Sequence, residues 1–174
     1  MIELTTSRLT MRQLAQTDRN LFFLLHRNVA VMRYVSEELP DDREIEGRFE
    51  SRLAPWHKNA RHWLCLTVFT LESNRAIGVT GFMLYDDNSL HAEVGYLFLP
   101  KYQGKGYGTE SLHAVKNYAR DVVGVKQLTA TVAGDNLGSL GILEKCGFSC
   151  NRRLPSGFGS KDKICDELIY ICKM

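Results

Sequence analysis

The sequence predicts an α+β protein built on a single mixed, mostly antiparallel sheet flanked by helices. Residues 63–71, 76–85 and 90–99 are consecutive β-branched or aromatic runs, separated by Glu72-Ser73-Asn74-Arg75 and Asp86-Asp87-Asn88-Ser89. That pattern is one of strands joined by hairpin turns. Ahead of this block, and again after it, apolar residues recur at helical spacing. Between strand and helix stands a glycine-rich turn, Gln103-Gly104-Lys105-Gly106-Tyr107-Gly108, directly after the strand that ends at Pro100. Strands grouped together, with helices before and after them, make the α+β class.

Taken in order, residues 4–14 alternate around Thr and Arg and predict a first strand with one polar face. Thr17 or Asp18 then caps a helix whose apolar stripe comprises Leu21, Phe22, Leu24, Leu25, Val29 and Met32. After Pro40-Asp41-Asp42 a second helix is expected over residues 43–58. The three central strands follow, then a helix over 106–121 with Leu112, Val115 and Ala119 inward, a strand over 126–132, and a helix over 136–145 that ends at Gly147. Strands over 148–153 and 164–172 close the chain, with residues 155–163 expected as a mobile loop.

At 174 residues the chain suits one domain, 1–174, large enough to bury about two-thirds of its unfolded surface. Its 44% hydrophobic and 24% charged content excludes a disordered chain. With 22 basic against 20 acidic residues, the net charge of +2 signals no nucleic-acid partner. No apolar run approaches a membrane span, and residues 1–11 carry no signal-peptide core, so a cytoplasmic protein with no membrane partner is expected, as a monomer or homodimer. Five cysteines without a Cys-x-x-Cys pair signal neither zinc nor a disulfide framework. Cys146, beside a Gly-Phe turn, is the one to weigh as a reactive thiol, and a buried filler is the better reading. The histidines have no ligand-like spacing, so no metal is expected.

The glycine turn carries the chemistry. Gly104, Gly106 and Gly108 let the backbone take positive φ and bring its N–H groups close to a ligand, at a helix start where unpaired donors and the helix dipole favour an anion. A P-loop is disfavoured because Leu99 stands where its first Gly belongs and Gly106 follows Lys105. A dinucleotide fingerprint is disfavoured because Thr109 holds the place of its third Gly.

Gln103-Gly104-Lys105-Gly106-Tyr107-Gly108 resembles the Gln/Arg-x-x-Gly-x-Gly/Ala loop of the GNAT superfamily of N-acetyltransferases. Asn136-Leu137-Gly138-Ser139 through Gly147-Phe148 resembles that family's downstream element. Ser139 with Glu144-Lys145, and Thr6-Ser7-Arg8-Leu9-Thr10-Met11-Arg12, are similar to its ribosomal-protein N-terminal acetyltransferase branch. The resemblance implies the GNAT acyl-CoA N-acyltransferase fold, acetyl-CoA as co-substrate, and a peptide N-terminal α-amine or a small amine as acceptor. It also implies that the backbone of Tyr96, Leu97 and Phe98 pairs with the pantetheine arm. Residues Gln103, Gly104, Lys105, Gly106, Tyr107, Gly108 and Thr109 would then hold the pyrophosphate, with Asn136 nearby. Lys105 fits a solvated loop lysine equally well.

Along the third central strand, Ala92, Val94, Tyr96 and Phe98 share one face, and His91, Glu93 and Gly95 the other. Glu93 is thereby the candidate general base, against a reading as a cross-strand ion pair or surface carboxylate. His91 is a weaker relay candidate. Many members of the family carry a Tyr seven residues after the Asn, where Leu143 stands here, so Ser139 is the candidate proton donor, with a packing role as its competitor. The alternative to an enzyme is a CoA-binding sensor or interaction module without turnover.

Overall fold

A computed structural model describes residues 2–85, 90–160 and 163–174. Its strands are β1 (Glu3–Thr5), β2 (Leu9–Gln13), β3 (Leu64–Thr70), β4 (Ala76–Leu84), β5 (His91–Phe98), β6 (Gln127–Ala133), β7 (Ser149–Ser160) and β8 (Lys163–Lys173). Its helices are α1 (Arg19–Arg27), α2 (Val29–Met32), α3 (Asp42–Glu50), α4 (Tyr107–Tyr118) and α5 (Leu137–Lys145). The strands form one eight-stranded sheet in the order β1-β2-β3-β4-β5-β6-β8-β7. Every neighbouring pair is antiparallel except β5 with β6.

Each face of the sheet carries its own apolar layer. On one side Val68, Phe82, Val94 and Phe98 pack with Leu112 and Val115 of α4 and Leu143 of α5. On the other, Cys65 and Val79 pack with Phe22 and Leu25 of α1 and Ile45 and Phe49 of α3. Burying side chains such as Phe22 and Phe49, both 0% exposed, stabilises the fold by about 1.5–3 kcal/mol each. The central strands, the α4 and α5 helices and the turn over Glu72-Ser73-Asn74-Arg75 fall where the sequence predicts them. Asn74 supplies the turn's left-handed conformation at φ 49. Gly147, at φ 83, follows α5 as a helix stop. The turn expected over Asp86-Asp87-Asn88-Ser89 lies outside the described residues.

Four segments depart from expectation. Residues 4–14 are not one strand but the β1–β2 hairpin. The chain reverses at Thr6, whose N–H donates to the Leu9 carbonyl at 2.9 Å and whose hydroxyl accepts from the Leu9 N–H at 3.0 Å. The first helix breaks at Asn28, where the backbone is extended and the side chain caps α2 by accepting from the Val31 N–H at 3.2 Å. Leu24 (54% exposed) and Val29 (68%) accordingly lie outside the core, and Phe23 and His26 take their place.

The second helix starts at a reciprocal Asp41/Glu44 capping box and stops at Glu50, eight residues before the expected end at Lys58. Pro55 lacks an N–H and restricts Ala54 before it, so the chain leaves the helix and buries Trp56 edge-on against Phe82. Finally, residues 155–160 are strand, not loop: they extend β7 along the edge of the sheet. An edge strand tolerates Pro155, whose missing N–H interrupts no ladder, and the register shift between Leu154 and Phe158 absorbs it.

Candidate active site

Parallel strands β5 and β6 pair only at His91–Glu93 with Gln127–Thr129. Beyond that point β5 stays on β4 as far as Phe98, while β6 stays on β8 as far as Ala133, so the two strands part. A cleft of about 830 Å³ opens from this fork and reaches both the glycine turn and the α1–α3 side of the sheet. Its size suits a bound small molecule.

Glu93 stands at the fork and faces the cleft, half-buried. Burial pushes its carboxyl above the usual value of 4.5, a hydrogen bond from the Thr131 side chain partly offsets this, and the charge of Glu167 on β8 adds to the rise. Gly95, two residues on, has no Cβ, and the ring of Trp63 lies 3.3 Å from where one would be. Ala92, Val94 and Phe98, on the opposite face, are buried in the α4-side core.

The glycine turn joins β5 to α4. Gly104 and Gly106 have φ of 72° and 81°, and Gly106 is the residue from which α4 starts. Among the described residues, the N–H groups of residues 104–109 donate to no protein acceptor. These orphan donors meet the positive end of the helix dipole, an arrangement that can hold a phosphate. The Gln103 side chain donates to the Phe98 carbonyl at 2.9 Å and so ties the turn to the strand end. Buried Gly108 lets Ile142 of α5 close on the turn, since a Cβ there would lie 2.6 Å from Ile142 Cδ1. Thr109 lines the cleft; the side chains of Lys105 and Tyr107 do not, with Lys105 Nζ 5.6 Å from the Tyr102 ring centre and Tyr107 beneath Arg8 at 4.7 Å.

The Thr6-Ser7-Arg8 segment has a task that its sequence does not disclose. Glu110, in the first turn of α4, accepts from the Thr6 hydroxyl at 2.6 Å, the Arg8 N–H at 2.9 Å and Arg8 Nε at 2.7 Å. Arg8 Nη1 in turn donates to the Lys105 carbonyl at 3.0 Å. The β1–β2 turn thus pins the glycine turn from outside.

Across the cleft, Asn136 caps α5 by accepting from the Ser139 N–H at 3.2 Å, and the Ser139 and Tyr96 hydroxyls are 2.6 Å apart. The Tyr96 phenol, pushed up to about 12 by burial, brings a side chain to the site where sequence reasoning credited only its backbone. Leu97 packs toward α1 and α3. Leu143 is 1% exposed in the core and does not line the cleft. Cys146 is likewise buried, and its thiol is pushed up to about 11, which leaves it unreactive.

The remaining wall is invisible to motif reading. His26, Arg48, Arg52 and Trp63 line it from the α1–α3 side, and Glu167 from β8. His26 is held neutral: burial lowers its pKa to about 4, and its Nδ1 bonds the Phe22 carbonyl at 2.8 Å. Among the described residues no group of three His, Cys, Asp or Glu side chains gathers as metal ligands would, and no helix is long and apolar enough to cross a membrane.

Residues 8–149 match the model of the acetyltransferase (GNAT) domain. An uncharacterized N-acetyltransferase of Bacillus subtilis, YoaA, is 27% identical over 147 residues, covering 83% of this chain and 81% of its own. The spermidine N-acetyltransferase of Vibrio cholerae, solved with CoA and spermine, superposes with a TM-score of 0.84 at 22% identity over 97% of this chain and 96% of its own. The ribosomal-protein-S5-alanine acetyltransferase of Vibrio fischeri does so with a TM-score of 0.81 at 15% identity, over 99% and 97%.

Proposed function

From the membership of this chain in the GNAT acetyltransferase family, we propose that it transfers the acetyl group of acetyl-CoA to a primary amine, a peptide N-terminal α-amine or a small amine, with Glu93 as general base. The observation that carries this reading is the position of Glu93 at the fork of β5 and β6, on the same cleft as the orphan N–H groups of residues 104–109.

The turn fits a pyrophosphate because its donors are unspent and its αL glycines keep side chains out of the way. The parted edge of β5 at Tyr96, Leu97 and Phe98 fits an extended amide-bearing arm, which would pair as an added strand does. Asn136 caps the helix facing that arm, Gln103 and Gly108 shape the turn, and Thr109 completes it. Acetyl-CoA supplies an activated acyl group, a thioester whose carbon an amine can attack once neutral.

Glu93 makes the amine neutral. An α-amine has a pKa of roughly 8, so only part of it is neutral near pH 7, and a carboxylate with a raised pKa takes its proton directly or through a water. One hydroxyl of the Ser139–Tyr96 pair donates to the other, and the remaining O–H would meet the departing thiolate as a hydrogen-bond donor. A phenol at about 12 does not surrender its proton to a thiolate whose conjugate acid lies near roughly 8.5; it stabilises that charge in place. Leu143, where many relatives carry a Tyr, gives the alternative its support: a module that binds CoA without turnover. Following CoA release across a panel of N-terminal peptides and small amines decides between them. Turnover that Glu93→Gln abolishes supports the enzyme, and CoA binding with no acceptor turned over supports the module.

A further inference from the structure

We infer that the acceptor of this cleft is an amine that also carries a carboxylate, held by Arg52 and Arg48 while the amine lies at Glu93; this rests on the acetyltransferase reading above. The guanidinium of Arg52 is half-buried on the cleft wall, 5.4 Å from the Phe22 ring centre and 5.6 Å from that of Trp63, and it bonds the Cys65 thiol. Among the described residues it makes no ion pair with a carboxylate. Burial pushes the Cys65 thiol up to about 11, so it stays neutral, and a second cation, Arg48, acts on Arg52 as a like charge. His26 beside them is neutral as well.

Ring faces and a thiol supply contact but no full negative charge. A desolvated guanidinium with a like-charged neighbour is costly unless an anion joins it, and its planar fork is the group that best matches a carboxylate. At the fork the same cleft carries the reverse sign, where Glu93 and Glu167 face it from β5 and β8; Lys145 of α5 is the other charged residue on its wall. The two ends are connected through one ring: Trp63 lies on Gly95, two residues along the strand from Glu93, and Arg52 lies over Trp63. With roughly 7 Å between alternate strand residues, the poles stand on the order of 10 Å apart. An ω-amino acid, or the N-terminus of a peptide with an acidic side chain nearby, matches this polarity. A diamine or polyamine sets its second ammonium against Arg52 and Arg48.

The test uses three series of equal length, ω-amino acids, their amides and the corresponding diamines, beside short peptides with Glu or Lys at the second position. We expect kcat/KM to favour the carboxylate members about 10- to 100-fold over the ammonium members, with the peptide pair showing which source of carboxylate fits better. Arg52→Gln and the exposed Arg48→Gln each erode the preference, Arg52→Glu reverses it, and Arg52→Lys, which keeps the charge, retains most of it. Equal kcat/KM across the three series, or an unaltered preference in Arg52→Gln and Arg48→Gln, overturns the inference. Thermal stabilisation of the CoA-saturated protein by the same compounds separates this from the reading beneath it. Selective stabilisation by carboxylate members without turnover counts against the enzyme and upholds the anion site; no selectivity in either readout refutes the anion site.

Discussion

The Tyr96 and Ser139 hydroxyls meet at 2.6 Å across the cleft, tying β5 to the first turn of α5. Burial keeps the phenol protonated, with its pKa pushed up to about 12, so the pair is a fixed source of hydrogen bonds and not of free protons. Removing one such bond to a developing negative charge costs about 1.5–3 kcal/mol. Tyr96→Phe and Ser139→Ala are therefore each expected to lower kcat by about 10- to 100-fold with little change in KM for acetyl-CoA. Steady-state thiol release measures both. A pair that merely braces the fold would lower the melting temperature and leave kcat per folded molecule untouched.

Glu93→Gln keeps the shape and removes the proposed base. Turnover is expected to fall by about 10²–10⁴-fold, and the deficit should narrow from pH 6 to pH 9 as more α-amine arrives neutral. The folded carboxyl lies above its usual 4.5, so wild-type kcat/KM should decline as pH falls through that raised value, and Glu93→Gln should lack this limb. A variant as fast as wild type throughout would reduce Glu93 to a structural carboxylate.

Gly106→Val tests the anion cradle. Gly106 sits at φ 81, and a Cβ there would lie 3.2 Å from Arg8 Nη2. The left-handed conformation alone costs a β-branched residue roughly 1–2 kcal/mol, and the branched side chain would shield the N–H groups. Calorimetry should show acetyl-CoA binding weakened by about 10-fold or more, while a cooperative melt shows that the fold persists. Arg8→Ala, which releases the Lys105 carbonyl and Glu110 from outside the cleft, should weaken binding in the same direction but less.

Local signals were sufficient for much of this architecture and silent on the rest. Alternation along β5 places Glu93 opposite Ala92, Val94 and Phe98, and those three are indeed buried. The central strands and α4 and α5 follow from periodicity and turn residues because short-range preference and tertiary packing agree there. Arg52 is illegible because arginine after a charged helix reads as solvated; its burial depends on Cys65, Trp63 and Phe22, distant in sequence. Residues 155–160 carry loop-forming Pro, Ser and Gly, yet pairing with β8 overrides them at an edge where the missing donor does no harm.

Asp18 shows the same override and yields the last prediction. It reads as a helix N-cap, yet its side chain makes no capping bond to α1. Its carboxylate, 5% exposed, instead accepts from Arg12 at 2.7 and 2.9 Å, from the Ala15 N–H at 2.9 Å and from the Thr67 hydroxyl at 2.8 Å. Burial alone would raise its pKa, but the bonds from Arg12, Ala15 and Thr67 together outweigh it and hold the group below its usual 3.8. A folded pKa below the unfolded one means that the resulting stability is fully present above pH 3.8 and drains away as pH falls through the lower folded value. Asp18→Asn keeps the shape but leaves Arg12 without its counter-charge, which should cost about 3 kcal/mol and lower the melting temperature at pH 7 by roughly 6–12 °C. Arg12→Met with Asp18→Asn should lose less than the sum of the two single variants, because each single change leaves a partner stranded. Thermal melts of the four proteins at pH 7 and again near pH 3 give the test. Additive losses, or a deficit undiminished at the lower pH, would show that Asp18 acts through shape and not through charge.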